Sequence, residues 1–474
     1  MTQEDKKQIT RRNYLKYVGA GVVVVGAAAA AAYYGTLPPS PPTTLASATT
    51  SGVTTVATSA VASTTAPSTY PLSIDVLAPP WDGLPPEEIP LAAQAAGANV
   101  NDNVVDYEAL RDRIASSLAT KVSPGDATEV DSLWVNGYKD FWEPLEGKYA
   151  LSDADIADLD YLLKAQPWYN EDGKLLAIPY SCDFSLMSGN RNFLEKAGYT
   201  DWPKTFDELK NICQDMLTKK VTDRPFEIGV GANSGCPWMF WPIAQSFGGK
   251  WFDDDNNPLW DSPDSGNVKA LQWLIDAIWK WKIMPKAALT DWNEIGDLFA
   301  QEKIGIIEQT ISSAPAWDLA PDKYAVAGHV DEFLWPSGSP ELKQGFATFG
   351  TEGIGICRYS APDKKDAAFR YTQWVTSKET TGRLARSLGL TPPRKSAMQV
   401  LVDTGFWKKK YADVILPALD TNKGFCPKGP PAWFPEFWLY LGQVVNLACK
   451  QSISAYESMH RAADAVRGYK KKYG

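Results

Sequence analysis

From Pro71 onward, short continuous apolar runs alternate with stretches whose apolar residues recur at helical spacing. Runs of the first kind suit buried strands and those of the second suit helices laid on a sheet, so the alternation predicts an α/β fold. Leu72–Leu77 reads as an opening strand. Tyr107–Ala119 reads as an amphipathic helix with Leu110, Ile114 and Leu118 on one face, and Val130–Val135 as a strand ending in Trp134-Val135-Asn136-Gly137. Asp153–Ala165 is predicted helical. A turn at Asp172-Gly173 then feeds the apolar run Leu175–Tyr180. Ser181-Cys182-Asp183 breaks that run with polar residues before a second one, Phe184–Met187. A helix ending at Gly198 follows, and Pro203-Lys204-Thr205 opens another over Phe206–Leu217, proline being well suited to a first helical turn.

Helices are next expected over Trp238–Phe247 and Val268–Trp281, the latter carrying Leu271, Ile275 and Ile278. Between them, Gly248-Gly249 leads into a hairpin over residues 250–263 with its tip at Asp253–Asn257. That acidic tip lacks the glycine and glutamate spacing of a calcium loop, and its turn-forming residues account for it.

The first 70 residues carry a different pattern. Thr10-Arg11-Arg12-Asn13-Tyr14-Leu15-Lys16 matches the twin-arginine export signal. The uncharged run Tyr17–Gly35 would reach about 27–30 Å as a helix, barely a hydrocarbon core. Basic residues precede it, which orients the N-terminus inside the cell. Residues 1–35 are therefore a signal or anchor segment, with retention as a single anchor expected over cleavage within Ala27–Ala32. No cysteine follows the run to take a lipid. Residues 36–70 are Ser/Thr/Pro-rich, cannot bury a core, and are expected to form a disordered stalk open to O-glycosylation.

A chain of 474 residues exceeds one ordinary core, so more than one globular unit is expected. Its net charge of -9 argues against a nucleic-acid surface, and the Lys408–Lys410 and Lys470–Lys472 runs read as solvated helix ends. The two histidines, His329 and His460, lack metal-spaced partners, so neither a metal site nor a histidine-based nucleophile is expected, and no cofactor. Six cysteines without a CxxC pair read as buried thiols, with a Cys426–Cys449 disulfide left open by an external location. Nineteen tryptophans are the compositional outlier. Most should be core residues, with a subset free to serve as flat platforms for a ligand that has apolar faces.

The order turn, strand, polar crossing, strand, helix, capped helix over Asp172–Leu209 resembles the first inter-lobe crossover of the family 1, sugar-type extracellular solute-binding proteins of ABC importers, the maltose- and oligosaccharide-binding group. Leu298–Ile307 resembles the family's F-x-x-G-K-x-A-M segment, with Glu302 in place of the usual glycine. Arg386–Arg394 resembles its G-x-x-P-x-R turn, and the helix Glu436–Gln451 with Ser452–Met459 resembles its ending. Gly189-Asn190 departs from a usual Tyr-Asn. The resemblance implies a type II periplasmic-binding-protein-like fold: two discontinuous α/β lobes joined by crossover hinge strands. Lobe 1 would take residues 71–182 and 352–395, and lobe 2 residues 184–347 and 396–474.

The same resemblance implies a non-enzymatic, monomeric receptor on the outer face of the membrane. It would hold a di- or oligosaccharide between its lobes and pass it to ABC permease subunits. Candidate ligand contacts are Trp81 after the first strand, Trp134 and Asn136 after the lobe 1 strand, and Asp183 on the crossing. Trp238 at a helix start, Trp317 and Trp438 complete the set. The alternatives are a secreted carbohydrate-active hydrolase, which needs two carboxylates about 5–9.5 Å apart, a receptor for a peptide or glycerol phosphate, or a sensor for a membrane kinase.

Overall fold

The computed structural model describes residues 70–474, apart from 80–81, 166–167, 171, 234, 287–292, 311–312, 319, 347–348, 389, 420–424, 428 and 474. The expected signal and stalk, and Trp81, lie outside the described residues. Leu72–Gly474 is one compact unit.

Its first part runs β1 (Ser73–Ala78), α1 (Ile89–Ala96), β2 (Asn99–Val104), α2 (Tyr107–Thr120), β3 (Ala127–Asp131) and α3 (Asp153–Ala165). The long strand β4 (Ala177–Asn190) follows. Next come α4 (Arg191–Lys196), α5 (Phe206–Thr218), β5 (Phe226–Glu227), α6 (Gly235–Ser246), α7 (Gly266–Trp279), α8 (Asn293–Ala300), β6 (Ile306–Thr310), α9 (Ser313–Asp318) and β7 (Val330–Phe333). The chain returns through β8 (Phe349–Ile356) and ends in α10 (Pro362–Val375), α11 (Lys378–Ser387), α12 (Lys395–Asp403), α13 (Lys409–Leu419), α14 (Phe434–Cys449) and α15 (Ala455–Tyr473).

The strands run in the order β2-β1-β3-β8-β4-β6-β5, with β7 also paired to β4. β1 is parallel to β2 and β3, whereas β8 is antiparallel to both β3 and β4. One apolar core lies on the β1–β3 side and draws on Ile74, Val76, Val130, Ile178 and, from the returning chain, Ile354 and Tyr371. A second core forms around α5, α6, α7, α14 and α15. A third gathers Tyr161 and Leu162 of α3 with Phe299, Trp317, Met398 and Tyr411, so helices after β8 pack against both ends of the sheet.

Two expectations changed. The polar break at Ser181-Cys182-Asp183 does not interrupt the strand: β4 runs through it, because β8 supplies partners as far as Phe184↔Phe349, with one irregularity between Pro179 and Ser181. The strand expected over Val130–Val135 ends at Asp131 instead. The Asp131 carboxylate accepts the Leu133 N–H at 2.8 Å, and the Ser132 N–H donates to Thr351 O at 2.9 Å. Together these bonds turn the chain before Trp134.

The start of α5 is set locally. Thr205 accepts the Glu208 N–H at 3.1 Å while the Glu208 carboxylate accepts the Thr205 N–H at 3.1 Å, a reciprocal capping box. Thr205→Ala should therefore lower stability by about 1 kcal/mol, read from the urea midpoint, while Thr205→Ser should keep most of it. Glu302, in the place of the family's glycine, takes a left-handed φ of 58°. Its carboxylate accepts from Asn190 and Asn192 at 3.2 and 3.4 Å, contacts a glycine could not make. The 250–263 hairpin forms, bridged at Phe252↔Pro258, with Asp253 accepting the Asp255 and Asn257 N–H groups. Cys426 and Cys449 are not joined, and both thiols are buried.

Candidate functional site

β4 and β8 are the two strands that cross between the halves of the sheet, and the site builds on their crossing. Asp183 of β4 stands opposite Gly350 of β8. Trp238, in the first turn of α6, lays its six-membered ring against the same glycine: a Cβ on Gly350 would sit 2.8 Å from the ring. The indole is half-buried and donates its N–H to Glu308 of β6 at 3.2 Å. Glu308 itself is only 3% exposed. The structure thus sets the Asp183 backbone opposite the glycine that the Trp238 ring covers, and adds Glu308.

The next row of the sheet is acidic. Asp131 of β3 pairs with Glu352 of β8, which pairs in turn with Ser181 of β4, and the Ser181 hydroxyl bonds the Glu352 carboxylate. Like charges set directly opposite on neighbouring strands destabilise a sheet. Their presence here marks a place where the fold is not optimised for stability alone. Such carboxylates offer several acceptor positions to hydroxyl donors.

The turn after β3 carries Trp134 and Asn136. Trp134 is 3% exposed and packed in the first core, with its N–H on Asp131 O at 2.8 Å. Asn136 is half-buried, its carbonyl accepting the Lys139 N–H. The turn meets the segment before α14, since a Cβ on Gly137 would lie 3.3 Å from Ala432 Cα. Leu133 packs against both the first and the second core. The turn after β3 is therefore in contact with the segment before α14 beside the crossing. Trp438 of α14 is buried among Phe425, Trp241 and Phe434, at 5.1, 5.4 and 5.7 Å between ring centroids. Trp317 of α9 is buried against Phe299 at 5.3 Å in the third core.

Glu308 and Glu352 escaped the sequence reading. The signal available was a lone carboxylate inside an otherwise apolar or glycine-rich strand, in Ile306-Ile307-Glu308 and Glu352-Gly353-Ile354. The aromatic missing at Gly189 also has an explanation. The Trp202 ring fills the space over that glycine, stacked on Phe333 at 4.7 Å and 5° between planes.

Comparison with known proteins agrees with this architecture. The profile of the bacterial extracellular solute-binding protein family matches residues 86–382, more than half of the chain. The maltotriose-binding protein of Pyrococcus abyssi is 26% identical over 249 residues, 51% of this chain and 49% of that protein. The match thus spans about half the length of that curated relative. Among solved structures, the maltose-bound MalE3 of T. maritima superposes with a TM-score of 0.69 at 21% identity, covering 84% of this chain and all (100%) of that one. An ABC transporter solute-binding protein of Agrobacterium radiobacter in complex with ribitol gives 0.70 at 20% identity, covering 84% and 98%. The GacH receptor of Streptomyces glaucescens, solved unliganded and with acarbose, gives 0.67 at 20% identity, covering 85% and 99%. The fold is that of a type II periplasmic-binding-protein-like receptor, and the chain belongs to the bacterial extracellular solute-binding protein family.

Proposed function

We propose that the chain is the extracellular receptor of an ABC importer, closing on a di- or oligosaccharide and delivering it to membrane permease subunits without turning it over. The observation that carries this reading is the half-buried Trp238 ring beside the β4–β8 crossing, flanked by Glu308 and by the acidic row of Asp131 and Glu352. A sugar ring has an apolar face suited to an indole and hydroxyls suited to carboxylate acceptors. Maltotriose, maltose and acarbose, the ligands of three relatives, are of that chemistry, and ribitol, the ligand of a fourth, is an acyclic polyol that shares their hydroxyls. The acidic row repels a phosphate ester, which counts against glycerol phosphate.

In this reading Trp238, Asp183 and Asn136 make the main contacts, Trp81 is a further ligand contact, and Trp134, Trp317 and Trp438 support the site from the core. The protein works as a monomer, exported by the twin-arginine segment and held at the outer face by its N-terminal helix.

Tryptophan fluorescence of the purified full-length protein, titrated with maltotriose, a dipeptide and glycerol 3-phosphate, tests it. Saturation by maltotriose at one per chain, with no smaller sugar appearing, is the expected result. A response to the dipeptide or the phosphate alone would overturn the sugar reading. Release of glucose that is lost in Asp183→Asn would make the protein a hydrolase.

A further inference from the structure

Behind the acidic row lies a second set of carboxyl groups, deeper in the sheet and away from the strand crossing. Glu129 stands at the middle of β3 and is 1% exposed, while Asp82, in the loop after β1, is 7% exposed. The two side chains are hydrogen-bonded to each other. Two carboxylates cannot share such a bond unless one of them carries a proton, because a carboxylate has no hydrogen to donate. The second Glu129 oxygen, Oε2, has no partner, and neither does the hydroxyl of Tyr180, 1% exposed on β4.

The surroundings supply negative charge and neutral phenols. Glu352 of β8 and Asp131 of β3 act on Glu129 from the sheet. Asp102 of β2 and Tyr371 of α10 complete the set, Tyr371 lying under the influence of Asp102, Glu129 and Asp82 together. Basic groups on the helices of this face are engaged elsewhere. Lys364 of α10 bonds Asp126 at 3.2 Å, Arg370 bonds Ala96 O at 2.8 Å, and Arg383 of α11 pairs with Glu88 at 2.9 Å.

We infer that Glu129 is a positioning residue: held neutral, it donates its proton to Asp82 and so pins the chain after β1 onto the sheet at Asp82. Loss of that proton leaves two buried anions with no cation between them, and the loop is expelled. Burial, and then the charges of Asp82 and Glu352, hold the Glu129 carboxyl well above the usual carboxylate range. The sign follows by linkage. A group whose folded-state pKa is raised contributes stability that is complete below its unfolded value and is lost as pH rises through the folded one. Stability should fall from about pH 5 upward until Glu129 ionises in the folded protein, by roughly tenfold in the folding equilibrium constant per pH unit for this one proton.

The inference stands apart from the identity of the ligand, and so does its test. Urea unfolding of the full-length protein is followed from about pH 5 to pH 9 for wild type, Glu129→Gln, Glu129→Ala and Asp82→Asn. Glutamine donates to Asp82 at every pH, so Glu129→Gln should lose one proton's worth of the slope and match or exceed wild type at the alkaline end. Glu129→Ala leaves Asp82 without its donor and should be weaker than Glu129→Gln throughout. Asp82→Asn removes a charge that raises the Glu129 carboxyl, so the fall in stability should be smaller and should end at a lower pH. A Glu129→Gln slope parallel to wild type would overturn the inference. If that variant does not fold, an Asp82→Asn profile identical to wild type would do the same.

Discussion

Gly189→Ala is expected to cost about 3 kcal/mol, a large loss for one methyl group. The added Cβ would lie 2.1, 2.3 and 2.6 Å from three carbons of the Trp202 ring, far inside contact distance. The ring has little room to retreat. It is stacked on Phe333, its N–H donates to Asp331 at 3.1 Å, and the Arg191 guanidinium lies 5.3 Å from its centre. Relief would thus strain β4 or break the Asp331 cluster. The check is a double-mutant cycle read from urea midpoints. In a Trp202→Ala background, Gly189→Ala should cost little further, since the methyl group then enters vacated space. Equal costs in both backgrounds would mean that the ring does not press on this glycine.

Trp238→Ala should weaken maltotriose binding by at least about 30-fold, the scale of a central aromatic anchor. Two losses combine in that number: the flat apolar face, and the N–H that holds Glu308 in place at 3.2 Å. Trp238→Phe separates them by keeping a ring while removing the donor. Its affinity should fall by roughly tenfold, the size of one hydrogen bond to a charged group. Calorimetric titration reads both variants, and their urea midpoints show whether the fold is intact. Unchanged affinity in Trp238→Ala would reduce the indole to a cover for Gly350 and remove the central contact from the proposed site.

Much of this was legible in the sequence, because local signals and hydrophobic period agree over long stretches. The Pro203–Thr205 entry and its Glu208 partner define α5 without help from elsewhere. The turn after Asp131 could not be read that way. Val130–Val135 has strand character, and what ends the strand is a bond to Thr351 on a distant segment. The tryptophans show a similar limit. Trp134, Trp317 and Trp438 look like Trp238 in sequence, yet they are buried while Trp238 keeps an exposed edge, a distinction made by helices packing from elsewhere in the chain. The Asp82–Glu129 pair is equally hidden, since neither residue sits in a motif and only the sheet places one beside the other.

The passage of β4 beside β8, irregular only between Pro179 and Ser181, has a mechanical consequence. Two strands that stay laddered through the crossing, from Ala177↔Gly355 to Phe184↔Phe349, form a leaf spring and not a loose joint. Such a spring can twist and bend, but it cannot slide, because a one-residue slip would turn every side chain of the strand to the opposite face. Opening should therefore follow one arc with its ends held in register, and each closure should return the Trp238 ring to the same glycine.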